Sequence, residues 1–213
     1  MAAMQETVVL VHGLWVHGLA MEAQRRALAR LGYHAVAHSY RSMRSSLTEN
    51  ADRLALYACS LRTPVVHFVG HSLGGLVILE MLARDRAVGD GRVVLEGVPY
   101  RGCHAAQELA RLEFGPSLLG KSMREWLESG RPADFARFEV GVIAGSLGLG
   151  LGRLIDRDLP QPNDGVVAVE ETRVPGMRDH IVLPINHSGM LVSRAVNRQI
   201  AAFLRAGAFV HEG

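Results

Sequence analysis

The chain has few cysteines, and this scarcity excludes two classes of small protein. Only Cys59 and Cys103 occur in 213 residues, and they stand far apart in sequence. Two separated cysteines provide neither a disulfide framework nor the paired spacing of a structural zinc site. We therefore expect a reducing compartment and predict a cytoplasmic protein.

Blocks of like charge and long hydrophobic runs are also lacking. Lys121 is the only lysine among many arginines, and the formal net charge is +2 at pH 7. Without a basic block, neither a nucleic-acid surface nor a polybasic membrane surface is indicated. The apolar runs are far shorter than a membrane span, and the polar residues 1–6 do not introduce a secretory signal. We expect no nucleic-acid partner and no integral membrane segment.

Apolar residues, by contrast, are plentiful. They make up 48% of the 213 residues, which is enough to bury a full core. Single α/β domains routinely reach this length. We predict one domain over residues 1–213.

Six short runs rich in valine or isoleucine alternate with stretches of helical periodicity. Such runs are typical of buried parallel strands. The predicted strands are residues 7–11, 34–39, 65–69, 92–96, 139–144 and 180–184. The alternation predicts a mostly parallel central sheet of about six strands, with helices on both faces. Ligands of such sheets bind at the carboxyl ends of the strands.

Four helices and one insertion are predicted between and after the strands. The predicted helices cover residues 19–31, 47–61, 76–83 and 190–204, the second opened by a capping box at 46–49. Residues 100–137 are more than one helix needs. They contain two short amphipathic pieces, at 105–114 and 122–128, divided by Gly115 and Pro116. We predict a short cap insertion over the site.

The strongest chemical motif is Gly70-His71-Ser72-Leu73-Gly74, between a predicted strand and a predicted helix. A chain that turns from strand to helix this quickly strains the central residue and leaves no room for side chains two positions away. Ser72 would then stand out from the sheet edge as a nucleophile, and the Leu73 amide would face a reacting oxygen. His71 beside it is predicted to pack or hydrogen-bond.

A serine hydroxyl is a weak nucleophile, so this interpretation requires a base and an orienting acid. His187 lies on the turn after the last predicted strand, with Ser188 as the predicted N-cap of the final helix. Asp164, in a loop rich in Pro, Asn and Gly, precedes it in the order expected of a catalytic triad. Asp156, Asp158 and Glu96 are the alternative acids.

The triplet His-Gly-Leu occurs twice near the N-terminus, at 12–14 and 17–19. An oxyanion needs two donors, and the second comes from the loop after an early strand. The first copy follows the first predicted strand directly, so Leu14 is the predicted second donor. The second copy is predicted to start the first helix.

These motifs resemble those of the α/β-hydrolase superfamily, and most closely those of small bacterial esterases and lipases. The resemblance implies the α/β-hydrolase fold with Ser72 as nucleophile, His187 as base and Asp164 as acid. It also implies no cofactor. The residues that carry it are 12–14, 70–75, 163–167 and 187–191, within a match from residue 7 to about 205.

Two weaker features concern the pocket and metals. Trp15, Met123 and Trp126 could line an acyl pocket, and ordinary core packing explains them as well. His34 and His38 share a strand face, but no third ligand follows at a useful spacing, so no metal site is expected.

The main functional hypothesis is a serine hydrolase that cleaves a small-molecule ester or lipid through an acyl-enzyme. A thioesterase or an acyltransferase could use the same triad. A third hypothesis is a catalytically inactive binding module on the same fold.

Overall fold

A parallel sheet forms the centre of the molecule. The computed structural model describes residues 6–84, 91–130, 134–150 and 158–211. Within these residues, one sheet contains six strands: β1 (Thr7–Val11), β2 (His34–His38), β3 (Val66–His71), β4 (Val93–Glu96), β5 (Val140–Gly145) and β6 (Asp179–Leu183). Their order in the sheet is β2-β1-β3-β4-β5-β6, and every neighbouring pair is parallel. The predicted α/β-hydrolase fold is confirmed, and each predicted strand lies within two residues of an observed one.

Helices cover both faces of the sheet. They are α1 (Glu22–Arg30), α2 (Leu47–Ser60), α3 (Leu73–Ala83), α4 (His104–Arg111), α5 (Gly115–Glu128) and α6 (Arg194–Ala206). One apolar cluster joins one face to α2, α3, α4 and α5. A second joins the other face to α1 and α6. Because the four inner strands, β1, β3, β4 and β5, are buried on both sides, their sequences are largely apolar.

Local capping explains where two of these helices begin. Ser46 Oγ accepts the Glu49 backbone N–H at 3.0 Å, and the Glu49 carboxylate accepts the Ser46 N–H at 2.9 Å. This reciprocal pair is the predicted capping box of α2. For α6, the predicted cap is wrong. Ser193 accepts the Val196 N–H at 3.3 Å, whereas Ser188 opens a 3₁₀ turn, Ser188–Val192.

The insertion between β4 and β5 folds as α4 and α5. Gly115 and Pro116 do not divide two helices as predicted, since they form the first turn of α5. Proline suits that position because the first backbone N–H groups of a helix have no partner within it. α5 also bends at Gly120, whose φ is 68°.

Hydrogen bonds fix α5 to the body of the protein. The Glu125 carboxylate accepts the Leu47 N–H at 2.6 Å, at the amino end of α2 where a negative charge is favoured. Ser122, which is fully buried, accepts from the Asn50 amide at 2.9 Å. α5 therefore rests on α2 through polar contacts as well as apolar packing.

Candidate active site

Ser72 occupies a strained position between β3 and α3. Its φ and ψ are 54° and −126°, a region that residues with a side chain rarely adopt. Its N–H donates to the Glu96 carbonyl at the end of β4, at 2.9 Å. Strain of this kind persists only where the surrounding structure enforces it, and it is concentrated at functional sites.

The glycines on either side allow this turn because other backbone lies against them. A Cβ at Gly70 would lie 2.6 Å from the Gly75 Cα, and one at Gly74 would lie 2.2 Å from the Val11 carbonyl oxygen. Neither distance is physically possible without moving backbone. The glycine spacing therefore reflects close contact among β1, β3 and α3.

Asp164 and His187 form a buried hydrogen-bonded pair. His187 Nδ1 donates to Asp164 Oδ2 at 2.7 Å, and the His187 backbone N–H donates to the Asp164 carbonyl at 2.9 Å. The other carboxylate oxygen of Asp164 accepts the Val166 and Val167 N–H groups, at 2.9 and 2.7 Å. Asp164 thus has fixed partners on both oxygens, and it holds the His187 ring with Nε2 free of that bond.

The alternative acids have other environments. Glu96 is fully buried, and its Oε1 accepts the Gln24 side-chain amide at 2.8 Å. Burial raises the pKa of Glu96 to about 8, so it is neutral at pH 7. Asp158 is exposed, and Asp156 lies outside the described residues. Asp164 is therefore the acid that the structure brings to His187.

Gly97 is a site residue that sequence reasoning missed. It follows β4 with a φ of 56°, and a Cβ there would lie 2.9 Å from both Asp164 Oδ2 and His187 Nδ1. A glycine directly after a buried strand was the available signal. Nothing in the sequence says that the acid and the base pass over it.

Glu171 is a second missed residue, and it joins the cap to the loop that carries the acid. One carboxylate oxygen accepts the His104 N–H at the start of α4, at 2.7 Å, and the other accepts the Ala168 N–H at 2.8 Å. Burial raises its pKa, and these hydrogen bonds oppose the rise. Glu171 therefore fixes α4 relative to the Asp164 loop.

The loop after β1 is held by His12 and Tyr40. His12 Nδ1 donates to the Gly13 carbonyl at 2.9 Å, and the Tyr40 hydroxyl donates to the His12 carbonyl at 2.9 Å. The two rings stack with centroids 4.4 Å apart. Burial lowers the pKa of His12, which favours the neutral ring. These contacts place Leu14 beside the nucleophile turn.

The second His-Gly-Leu copy lies elsewhere. Gly18 begins a 3₁₀ turn, Gly18–Met21, that leads into α1, and its N–H donates to Ser39 Oγ at 2.9 Å. Leu19 is 85% exposed. This copy was predicted to start the first helix; it forms the turn that leads into that helix, which itself begins at Glu22.

A cavity of about 280 Å³ contains the reactive groups. Ser72 and His187 line it, as do Leu14 and Leu73, whose amides are the predicted oxyanion donors. The described residues around it include no Asp, Glu, Lys or Arg. The cavity is therefore apolar, with the polar groups gathered at the nucleophile.

Two of the three predicted pocket residues line the cavity, and the third lies in the core. Trp15 and Met123 line the cavity, and Trp15 Nε1 donates to the Leu118 carbonyl of α5 at 2.7 Å. Trp126 is 0% exposed and belongs to the apolar core, with its ring beside that of Tyr100. Its prediction as a pocket residue is therefore wrong.

The comparisons with known proteins identify the family. A model of the alpha/beta hydrolase family matches residues 8–212. The chain belongs to this family. No curated protein matches the sequence. In the described residues of this alpha/beta hydrolase, no helix has the length and hydropathy that a membrane span requires.

Solved structures share the architecture of this alpha/beta hydrolase at low identity. The mature lipase BlEst2 of Bacillus licheniformis is 18% identical, with a TM-score of 0.74, over 99% of this chain and 94% of its own. Its propeptide form is 19% identical, with a TM-score of 0.76, over 98% of this chain and 52% of its own. The carboxylesterase CesB of Bacillus subtilis is 13% identical, with a TM-score of 0.61, over 95% of this chain and 84% of its own. At these identities the likeness shows the fold alone.

Proposed function

We propose that this chain is a serine hydrolase that cleaves carboxylic esters through an acyl-enzyme. Ser72 is the nucleophile, His187 the general base and Asp164 the acid that orients it. The backbone amides of Leu14 and Leu73 are the oxyanion donors. The lipase and carboxylesterase named among the solved structures agree with this class of reaction.

One observation carries the proposal. The buried Asp164–His187 hydrogen bond of 2.7 Å lies beside a cavity that also contains Ser72, whose φ of 54° is strained for a residue with a side chain. A carboxylate that binds Nδ1 selects the tautomer whose Nε2 can accept a proton. A packing role alone would not require strain at a serine and a fixed tautomer at the same cavity.

The reaction proceeds in two halves. His187 Nε2 takes the proton of Ser72 Oγ as the oxygen attacks the ester carbonyl carbon, and the Leu14 and Leu73 amides bind the oxyanion. The intermediate collapses, and His187 returns the proton to the departing alcohol. Water then attacks the acyl-enzyme by the same route, which releases the acid and free Ser72.

The apolar cavity supports an uncharged acyl group as the part of the substrate that the protein buries. Among the described residues, its lining includes no Lys or Arg to pair with a carboxylate or phosphate, and burial of an unpaired charge there would be costly. Leu109, Leu119 and Met123 come from the cap helices. We expect aliphatic acyl chains to fill the space beneath α4 and α5.

The test is hydrolysis of chromogenic p-nitrophenyl esters from acetyl to palmitoyl by wild type and by Ser72→Ala. We expect wild-type activity with a maximum at one chain length. We expect Ser72→Ala to lose at least about 10³-fold in kcat, as loss of a triad nucleophile does.

Labelling by a fluorophosphonate distinguishes failure of the serine mechanism from failure of the ester specificity. Equal rates for wild type and Ser72→Ala would contradict the serine mechanism. Labelling at Ser72 without cleavage of any ester in the series would contradict ester specificity while leaving the nucleophile in place.

A further inference from the structure

His71 is a second buried imidazole at the site, and the mechanism above does not use it. It is the last residue of β3, directly before Ser72, and it is 5% exposed. Its ring centroid lies 4.6 Å from that of His187. A titratable ring this close to the base must affect either its charge or its position.

The hydrogen bonds of His71 determine its tautomer. Its Nε2 lies 3.0 Å from the His187 carbonyl oxygen. A carbonyl oxygen can only accept, so Nε2 carries the hydrogen and donates it. Burial, together with nearby His187, lowers the pKa of His71 to about 3. The ring is therefore neutral at pH 7, with its lone pair on Nδ1.

His71 is not placed to act as a base itself. Its Nε2 is committed to the His187 carbonyl, and Nδ1 is buried with no hydrogen-bond partner in the described residues. Nδ1 lies against the loop after β1, since a Cβ on Gly13 would be 3.2 Å from it. No hydrogen bond joins it to Ser72 Oγ.

The hydrogen bond from His71 Nε2 instead fixes the backbone of His187. Asp164 accepts the His187 backbone N–H at 2.9 Å and the ring Nδ1–H at 2.7 Å. His71 donates to the remaining backbone group, the carbonyl. Because His71 and Ser72 are adjacent in sequence, this third bond links the base directly to the nucleophile turn.

We infer that His71 is a positioning residue whose Nε2–H holds the His187 backbone against the nucleophile turn and so fixes the base relative to Ser72. This inference rests on the proposed function, since it assigns His71 a part in the proton transfer between those two residues. A displacement of about 1 Å in such a pair costs on the order of 100-fold in rate.

Two substitutions at the same position separate positioning from packing. Both remove the imidazole. In His71→Gln the side-chain nitrogen is as many bonds from Cα as Nε2, so the amide can still reach the His187 carbonyl. In His71→Asn the nitrogen takes the place of Nδ1 and cannot. Loss of ring packing is common to both variants, which differ by one methylene and by whether the amide nitrogen reaches the His187 carbonyl.

We expect His71→Asn to lower kcat for the preferred ester about 10- to 100-fold with KM within about twofold of wild type. His71→Gln should recover most of that loss. Burst titration of Ser72 counts active sites, so unfolded protein does not enter kcat. Equal kcat values for the two variants would overturn the inference.

Wild-type protein provides a measurement that no variant can confound. With ¹⁵N-labelled histidine, NMR at pH 7 should show His71 as the Nε2–H tautomer, and an Nδ1–H tautomer would overturn the inference. If wild type cleaves no ester, the proposed function fails. The rate at which a fluorophosphonate labels Ser72 then replaces kcat in the comparison of His71→Asn with His71→Gln.

Discussion

At the scale of single residues, the site depends on one position where a side chain is absent. Gly97 has a φ of 56°, and the acid–base pair passes directly over its α-carbon. Any side chain there would need both an unfavourable backbone conformation and a shift of Asp164 or His187. Gly97 therefore sets how closely the pair can approach the sheet.

Gly97→Ala should impair catalysis more than folding. The added methyl would lie 2.9 Å from Asp164 Oδ2 and from His187 Nδ1, so one of them must move. We expect kcat to fall about 100-fold, since small misplacements of a base have effects of that size. Steady-state kinetics on the preferred ester checks this.

Gly130→Ala is the matched control. Among the described residues, no atom lies within 4 Å of a Cβ at Gly130, and the same substitution there should leave kcat within about twofold. An unchanged kcat in Gly97→Ala would show that the pair can shift without loss of function.

Local sequence predicts residues of this kind unevenly. Ser72, His187 and Asp164 were expected because each lies in a motif whose neighbours constrain it. The role of Gly97 and the hydrogen bond from His71 to the His187 carbonyl were not expected, because both involve segments far apart in the chain. Their roles depend on which strands pair, and no local pattern encodes the register.

At the scale of elements, α4 presents small side chains to the cavity. Ala105 and Ala106 line it, and both are nearly fully buried. Glu171 accepts a hydrogen bond from the first residue of α4, and Glu125 of α5 accepts one from the first residue of α2. These bonds hold α4 and α5 in place. The space above Ser72 is therefore bounded by a fixed wall whose depth depends on these alanines.

Ala106→Leu should shorten the preferred acyl chain. The larger side chain occupies volume that the distal carbons of a long acyl group would fill. We expect kcat/KM for the longest good substrate to fall about 10-fold or more while that for the acetyl ester changes little. The ester series already described measures this.

Ala110→Leu on the same helix is the control. Ala110 packs against the core and does not line the cavity. It should leave the chain-length profile in place. A profile shifted equally by both substitutions would mean that α4 moves as a whole and that Ala106 does not select chain length.

Strands were easier to predict than helix ends. A buried parallel strand is a short continuous run of β-branched residues, and β1 was placed to the residue. Helix ends depend on single side chains that compete to cap them, which is why Ser188 was chosen where Ser193 caps α6. Trp126 was misassigned because the apolar pattern of an amphipathic helix is the same for a residue that lines a cavity and for one in the core.

At the scale of the whole molecule, one buried carboxyl couples stability to pH. Glu96, at the end of β4, accepts a hydrogen bond from Gln24 of α1, and Glu96 Oε2 has no partner in the described residues. Burial raises the Glu96 pKa from 4.5 to about 8. The folded protein therefore keeps a proton that the unfolded chain releases above pH 4.5.

The sign of the effect follows from proton linkage. The stability that Glu96 contributes is present below about pH 4.5 and is lost as pH rises towards about 8. Glu96→Gln is neutral at every pH and keeps the size of the side chain. Its unfolding free energy relative to wild type should increase between pH 5 and pH 8.

Urea unfolding of both proteins at pH 5, 6, 7 and 8 measures the difference. One proton limits its slope to about 1.4 kcal/mol per pH unit. A difference that is constant across this range would show that Glu96 is already ionised in the folded protein.

The separation of the reactive groups along the chain has a consequence for synthesis. His71, next to the nucleophile, and His187 are 116 positions apart. A ribosome thus completes the nucleophile turn long before the base exists, and β6 must pair with β5 before His187 can reach its place. In the proposed mechanism, a nascent or prematurely terminated chain exposes Ser72 with no proton acceptor. On this proposal we expect such a chain to be inert towards esters, with activity beginning only when the last strand joins the sheet.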